Sequence, residues 1–438
     1  MLKEMSCLGE WWLPSNPDKR ARGKLSFNQA SGAILDLEEG FAEHSKIICG
    51  VSLPVGRKIT LQDCIPLSLV GLPGIPYKVF AHRVFLGAHF SQDSDIKFNS
   101  LHCQMSNLYE WLSKSGVKVE GAAGKKVVIE YNRPESISVS VNPELSVSID
   151  FRNSFSSNVN GQIGLEEHAF ASFYPKEARN LDEYFRWMQH FRNFLCLATQ
   201  IVVFPKEIYG VVSDELPYVE VLYQLDAPIN TKANTFNSLF AFKDVETKFE
   251  SVLRNWYTKL DMFEPVCQLY FGSHYGRFVY LNLRFLCMVQ ALEAYHRVAV
   301  SNEELANQKH EERIASILNT TPLVHREWLR DKLVYSNEPN LRKRLKILCN
   351  MFPTTVKALI PARKLFINKV VDTRNYMTHY DLALKNKAAN QKELFLITEE
   401  LRVIVEMCLL HEVGFNTDEI NSLILKHYQE RLKRYSLQ

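Results

Sequence analysis

No run in these 438 residues approaches the roughly twenty consecutive apolar positions that a membrane-spanning helix needs. The most apolar stretch, Phe194 to Phe204, is eleven residues long and is interrupted by Thr199 and Gln200. Cysteine is scarce. The nine, at 7, 49, 64, 103, 196, 267, 287, 349 and 408, are odd in number, scattered and never spaced as CxxC. That pattern disfavours a disulfide framework and a zinc ribbon and favours a reducing cytoplasm. Met1 to Leu13 has no cationic start followed by an apolar core, so no secretory signal is expected. Neither a Walker loop nor GxGxxG occurs. HExxH and GxSxG are also missing: His411-Glu412 has no second histidine at the required spacing, and His102-Cys103 are adjacent rather than spaced as ligands. These absences point to chemistry without a cofactor or a metal.

What is present is globular. Apolar residues make up 46% and charged residues 23%, which excludes collagen, low complexity and disorder. The length predicts two or three domains. Net charge is +3, unevenly spread: 24 Lys and Arg face 18 Asp and Glu from Phe278 to Gln438, against 28 and 31 in the remainder. A mildly basic last third suits a polyanionic partner, and a solvated helical surface explains it equally well.

Two textures meet. The first part reads as β. Lys24–Asn28 and Ala33–Leu37 are short strand-like runs on either side of Gln29–Gly32, and Tyr77–Leu86 is rich in aromatic and β-branched residues. Ser136–Val141 and Leu145–Phe151 alternate apolar and polar, and Asn142-Pro143-Glu144 supplies a turn, which predicts an antiparallel hairpin. Gly71–Pro76 reads as a loop. A helix is expected at Leu181–Leu197, with strands near Ile201–Phe204 and at Tyr218–Tyr223. From about Asn234 the texture is helical. Leu281, Phe285, Met288, Leu292 and Tyr295 form one apolar stripe, and Leu394, Ile397, Leu401, Ile404 or Val405, and Cys408 form another. Gly414 is a plausible stop after the second. Asn416 and Glu419 read as a capping box that opens a last helix. Further helices are expected near 302–318, 322–335, 340–351 and 361–384, with short connections that favour antiparallel neighbours. The fold class is therefore α+β: a β-rich N-terminal domain over 1–225, a helical linker over 226–277 and an all-α bundle over 278–438.

The most informative segment lies in the 361–384 helix: Asp372-Thr-Arg-Asn-Tyr-Met-Thr-His379-Tyr380. Ile367, Val370, Val371, Met377 and Thr378 mark its apolar stripe. Arg374 falls on that stripe and needs a partner or a shared cavity, because an unpaired buried charge is costly. Glu293 or Asp372 can pair with it, with no catalytic role for either. Arg374 and His379 stand five apart, roughly 140° around an ideal helix, so one helix does not aim both at one atom. They can flank a phosphate at a helix edge, or converge where two copies of the helix meet. A helix-surface or core-satisfied histidine is the structural alternative for His379. Tyr376 and Tyr380 are packing or substrate-contact residues, with packing favoured. Arg342, Lys343, Arg344 and Lys346 form a basic run that can hold RNA phosphates or serve as a solvated face. A second Arg/His pair, Arg83/His89, lies in a strand-like run and is read as coincidence.

The 372–380 segment resembles the Arg-x4–6-His motif of HEPN-domain ribonucleases, with Asn375 in the polar place that often follows the arginine. Phe285–Arg297 is similar to the first helix of the ApeA-type HEPN group, and Leu341–Leu348 to one of its middle helices. Gly9-Glu-Trp-Trp-Leu-Pro14, Gly23-Lys-Leu-Ser-Phe27 and Leu108-Tyr-Glu-Trp-Leu112 resemble the N-terminal domain of ApeA-like anti-phage defence proteins. The resemblance implies a cytoplasmic, metal-independent endoribonuclease of abortive-infection type, acting on RNA with tRNA as a candidate class. It implies Arg374, His379 and Asn375 as the catalytic group, with Glu293, Tyr376, Tyr380, Arg342 and Arg344 as supporting or RNA-contact residues. It further implies a homodimer or higher homo-oligomer and an N-terminal domain that senses a phage-derived trigger or restrains the nuclease. The alternative is a non-catalytic HEPN-fold sensor or adaptor that acts through protein or RNA binding.

Overall fold

A computed structural model describes residues 3–41, 43–67, 77–121, 126–157, 163–215, 218–225, 238–275, 279–300 and 302–436. Contacts divide the chain into two units, Met1–Arg254 and Asn255–Gln438, and the division falls inside one helix, Phe249–Tyr275. The loop expected at Gly71–Pro76 lies outside the described residues.

In the N-terminal unit, alternating apolar residues build six strands: β1 (Glu4–Leu13), β2 (Asn16–Asn28), β3 (Gly32–Leu37), β4 (Ile47–Leu53), β5 (Lys58–Pro66) and β6 (Tyr77–Leu86). They close on themselves in the order β6-β3-β2-β1-β4-β5 and back to β6, every pair antiparallel. Closure removes the exposed edges that an open sheet would present. Trp11, Leu25, Leu35, Ile59, Leu61 and Val84 are among the residues that fill the interior. Trp11 faces Gly50 across the β1–β4 register, and a Cβ on that glycine would stand 2.2 Å from the indole ring. Only glycine permits so close an approach.

The next elements are β7 (Lys97–Phe98), β8 (Ser100–Met105), α1 (Leu108–Leu112), β9 (Val117–Gly121), β10 (Val127–Tyr131), β11 (Ile137–Asn142), β12 (Leu145–Ser157), β13 (Ile163–Pro175), β14 (Arg179–Asn180), α2 (Leu181–Thr199), β15 (Pro205–Val211) and β16 (Val219–Tyr223). Six of the strands extend the sheet in the order β11-β12-β13-β8-β15-β16-β6, while β9 pairs with β10 and β7 with β14 in two small separate sheets. The expected hairpin is β11–β12, with Val139 opposite Val147 and Ile137 opposite Ile149. α2 starts where expected, because the Asn180 side chain accepts the Glu183 backbone N–H as an N-cap. Its aromatic face packs on the sheet and on α1: Phe191 meets Phe173, and Phe194 meets Trp111.

The strand expected at Ile201–Phe204 is a connection instead, and the strand begins at Pro205. Side chains take the backbone groups there: Arg192 donates to the Val203 carbonyl, the Cys196 sulfur accepts the Val203 N–H, and Ser106 Oγ accepts the Phe204 N–H. An apolar run whose backbone is satisfied in this way has no need of a ladder.

The helices of the C-terminal part are α3 (Phe249–Tyr275), α4 (Leu281–Ala299), α5 (Asn307–Thr320), α6 (Leu323–Leu333), α7 (Leu341–Met351), α8 (Pro353–Leu359), α9 (Arg363–His379), α10 (Gln391–Val413) and α11 (Thr417–Ser436). α8 was not expected; Pro353 opens it at the first helical position, where its missing N–H is harmless. Asn residues set several starts. Asn340 caps α7, and Asn390/Glu393 and Asn416/Glu419 form reciprocal capping boxes on α10 and α11. Gly414 ends α10 in the left-handed region at φ 102. The expected stripes face inward: Phe285, Met288, Leu292 and Tyr295 on α4 and Leu394, Ile397, Leu401, Ile404, Val405 and Cys408 on α10 are all buried, while Leu281, at the start of α4, is only partly so.

That core also holds a charge. Glu406 is fully buried and accepts Tyr270 Oη at 2.6 Å, Tyr428 Oη at 2.7 Å and Arg402 Nε at 2.8 Å. Burial opposes its ionisation, but Arg402 and the hydroxyls more than offset this and hold the carboxyl below the usual range. Among the described residues no helix is long and apolar enough to cross a membrane.

Candidate active site

α9 carries the proposed motif and is shorter than the 361–384 span expected. It ends at His379, because Tyr380 turns into the left-handed region at φ 50. The chain then returns to the helix: Ala389 N–H donates to Thr373 Oγ1 at 2.9 Å. Thr373 is fully buried and sits one turn after Val370, so the stripe passes through 366, 367, 370 and 373. Thr378, placed on the stripe from spacing, is exposed.

Arg374 is half-buried. Its Nη1 donates to Asn375 Oδ1 at 3.1 Å, and its Nη2 stands 3.6 Å from Glu293 Oε2 on α4. The partner a purely structural arginine would take is therefore present. Two of the five guanidinium N–H groups suffice for these contacts, so donors remain for an anion. His379 is exposed and has no hydrogen-bond or ion-pair partner among the described residues. Arg374 and Asn375 are brought together; His379 stands in the last turn of the same helix. Tyr380 is 76% exposed and meets Tyr376 edge to face, with ring centres 6.4 Å apart. Tyr380 is thus not the packing residue favoured from sequence.

The basic run on α7 divides. Arg344 is 3% exposed, so it does not lie on a solvated face and cannot meet an RNA phosphate there. It donates to the Pro339 carbonyl at 2.8 Å, to His296 Nδ1 at 3.1 Å and to Glu338 at 3.2 Å. His296 is itself fully buried, and burial followed by the Arg344 charge pushes it down to about 4. Arg342 stays exposed and donates to Asn368 on α9. Lys343 pairs with Glu304 at 3.0 Å. His296, Asn368 and Thr373 were missed from sequence. His296 follows Leu292 by four and Thr373 follows Val370 by three, so stripe spacing marks both.

Arg83 and His89 have structural partners. Arg83 binds Asp182 at 2.5 Å, and His89 Nε2 meets the Gly50 carbonyl at 2.8 Å. A Ser-His-acid chain also occurs in the N-terminal unit. Ser100 Oγ lies 3.3 Å from His102 Nε2, and His102 Nδ1 lies 2.8 Å from Ser172 Oγ, which in turn bonds Asp150. Both serines are buried, and Ser172 separates the imidazole from the acid, so the chain closes the polar side of the strands rather than offering a nucleophile. Among the described residues no group of three or more His, Cys, Asp or Glu is placed to hold a metal ion.

The sequence matches the family model of ApeA N-terminal domain 1 over residues 6–256 and that of the Apea-like HEPN domain over residues 286–419. No curated protein and no solved structure matches.

Proposed function

From the premise that the chain belongs to the ApeA family and carries an ApeA-like HEPN domain, we propose that it is an anti-phage endoribonuclease of abortive-infection type, acting in the cytoplasm. One observation carries the reading: within the HEPN match, α9 presents an exposed His379, without a partner among the described residues, one and a half turns from an Arg374 already oriented by Asn375 and Glu293.

RNA supplies its own nucleophile, the 2′-hydroxyl. The protein then needs a group to move a proton and a cation to hold the developing charge. His379 removes the 2′-hydroxyl proton or returns one to the 5′-oxygen of the departing strand. Arg374 grips the phosphorane with its free donors. Asn375 sets the plane of that guanidinium. The bond from phosphorus to the 5′-oxygen breaks, leaving a 2′,3′-cyclic phosphate and a 5′-hydroxyl, and no metal is required for that balance. Because roughly 140° of helix separates the two side chains, the full site forms when two copies of α9 meet in a homodimer. Exposed Tyr380 contacts substrate, tRNA being the candidate class. The N-terminal unit senses a phage-derived trigger or restrains the nuclease.

The Arg374–Glu293 pair favours a second reading, a non-catalytic HEPN adaptor in which the arginine merely ties α9 to α4. The two separate in cells. With soluble protein levels unchanged, phage protection or toxicity that is lost in both Arg374→Ala and His379→Ala supports the nuclease; protection retained in both supports the adaptor.

A further inference from the structure

β6 serves two neighbours in turn. β5 pairs along one edge from Val79 to Leu86, while the other edge meets β3 over Tyr77–Ala81 and then β16 over Arg83–Leu86. The handover falls at His82. Opposite it, between the Gln62–Arg83 and Cys64–Ala81 pairs of an unbroken register, stands Asp63, whose backbone is left-handed at φ 54. A non-glycine residue held there is a strained feature of the kind that gathers at ligand sites. His82 and Asp63 both line a cleft of about 800 Å³. That volume suits a ligand of a few tens of atoms or fewer.

Its wall has a definite chemistry. The Arg83 guanidinium lies 5.3 Å from the centre of the Phe185 ring, and Phe185 lies 4.8 Å from Tyr223 at 37° between planes. The three make a tilted column, with the guanidinium held by Asp182 and, at 3.4 Å, by Gln62. A planar cation over a ring is a surface on which a heteroaromatic base stacks. Lys46 lines the same cleft, is exposed, and has no ion-pair partner among the described residues. Its ammonium is a docking point for one phosphate. Gln224 uses its amide nitrogen on the Ala30 carbonyl at 3.1 Å, which leaves its oxygen as an acceptor, and the exposed His82 adds a ring nitrogen. The Asp63 carboxylate can accept from ribose hydroxyls or a base amine, and it disfavours a ligand with several negative charges. The neighbouring Cys64 is no nucleophile, since burial and then Asp63 push its thiol up to about 12. The cleft is built to bind, not to react.

We propose that this cleft binds a nucleoside monophosphate, its base against the Arg83–Phe185–Tyr223 column and its phosphate on Lys46. The proposal is independent of whether the C-terminal unit is a nuclease.

Calorimetric titration of the full chain with AMP, GMP, CMP and UMP, and with inorganic phosphate alone, tests it. At least one nucleotide is expected to bind in the range of about 10 µM to 1 mM, and phosphate alone about tenfold more weakly or less. Lys46→Ala, at an exposed position, is expected to weaken the bound nucleotide by about tenfold or more, the loss of one charge-assisted contact. His379→Ala is expected to leave it unchanged. Absence of binding by all four up to about ten times that upper limit would overturn the proposal. So would affinity untouched by Lys46→Ala, affinity abolished by His379→Ala, or phosphate alone binding as tightly as the nucleotides.

Discussion

Arg374 on α9 stands 3.6 Å from Glu293 on α4 while donating to its own neighbour Asn375 at 3.1 Å. Both members of the ion pair are about 30% exposed at the side chain. Water screens such a pair, which contributes about 0–1 kcal/mol to folding. The contact is therefore a weak strut, and its stronger consequence is geometric: a long, mobile guanidinium is held in one place beside an amide oxygen.

Glu293→Gln follows from this as a test of positioning. Melting of the C-terminal unit is expected to shift by less than about 1 kcal/mol. RNA cleavage is expected to fall about tenfold in kcat with KM little changed, because a misplaced cation weakens the transition state more than the complex. A variant that cuts at the wild-type rate would reduce Glu293 to surface decoration.

The motif residues themselves should separate from stability. His379 is exposed and without a partner among the described residues, so His379→Ala is expected to change unfolding free energy by no more than about 0.5 kcal/mol. Cleavage by the same protein should drop by about 10² to 10⁴, the usual contribution of a positioned acid–base group. Single-turnover rates alongside urea unfolding curves report both quantities.

The buried carboxylate of the bundle makes the opposite kind of claim. Glu406→Ala leaves Arg402 buried without the carboxylate nearest its Nε, and is expected to cost about 3–5 kcal/mol. Tyr270→Phe and Tyr428→Phe each remove one hydroxyl donor and are expected to cost about 1–2 kcal/mol. Urea midpoints order the three.

His296 sets a pH window. Its folded value of about 4 lies below the roughly 6.5 of an unfolded histidine. As pH falls from 6.5 to 4, the unfolded chain takes up a proton that the folded chain refuses, so stability falls over that window. It is fully present above 6.5, and below 4 the loss levels off. The loss is on the order of 3 kcal/mol. His296→Gln keeps an acceptor for Arg344 but does not titrate, so the difference in unfolding free energy between wild type and variant should shrink by that amount as pH drops. A difference that stays flat between pH 7 and 4 would mean that His296 is not held neutral.

In the barrel, Gly50→Ala would drive a methyl into Trp11. The expected cost to the N-terminal unit is about 1–3 kcal/mol, measured by Trp fluorescence through unfolding.

Much of the fold could be read in advance, and the reasons differ by element. Period-two runs such as Ile137–Val141 and Leu145–Phe151 bury one face, so their pattern encodes both strand and register. The α4 and α10 stripes do the same at helical spacing. Barrel closure was not legible, because pairings such as β6 with β5 and β3 lie between segments whose patterns name no partner. The end of α9 was missed because nothing in Tyr380 announces a left-handed residue, whereas Gly414 announced its own. At the site, spacing located Arg374 and its need for a partner, and Glu293 was among the partners foreseen. The burial of Arg344 was not foreseen, because a run of Arg and Lys looks alike whether one member turns inward or all face water.

The most direct test of the account is the chemistry of the ends left on RNA by the purified full chain in excess EDTA, together with any trigger needed for activity. The account predicts 5′-hydroxyl and 2′,3′-cyclic phosphate termini that disappear in both Arg374→Ala and His379→Ala. Cleavage that EDTA abolishes, or products bearing 5′-phosphates, would contradict it.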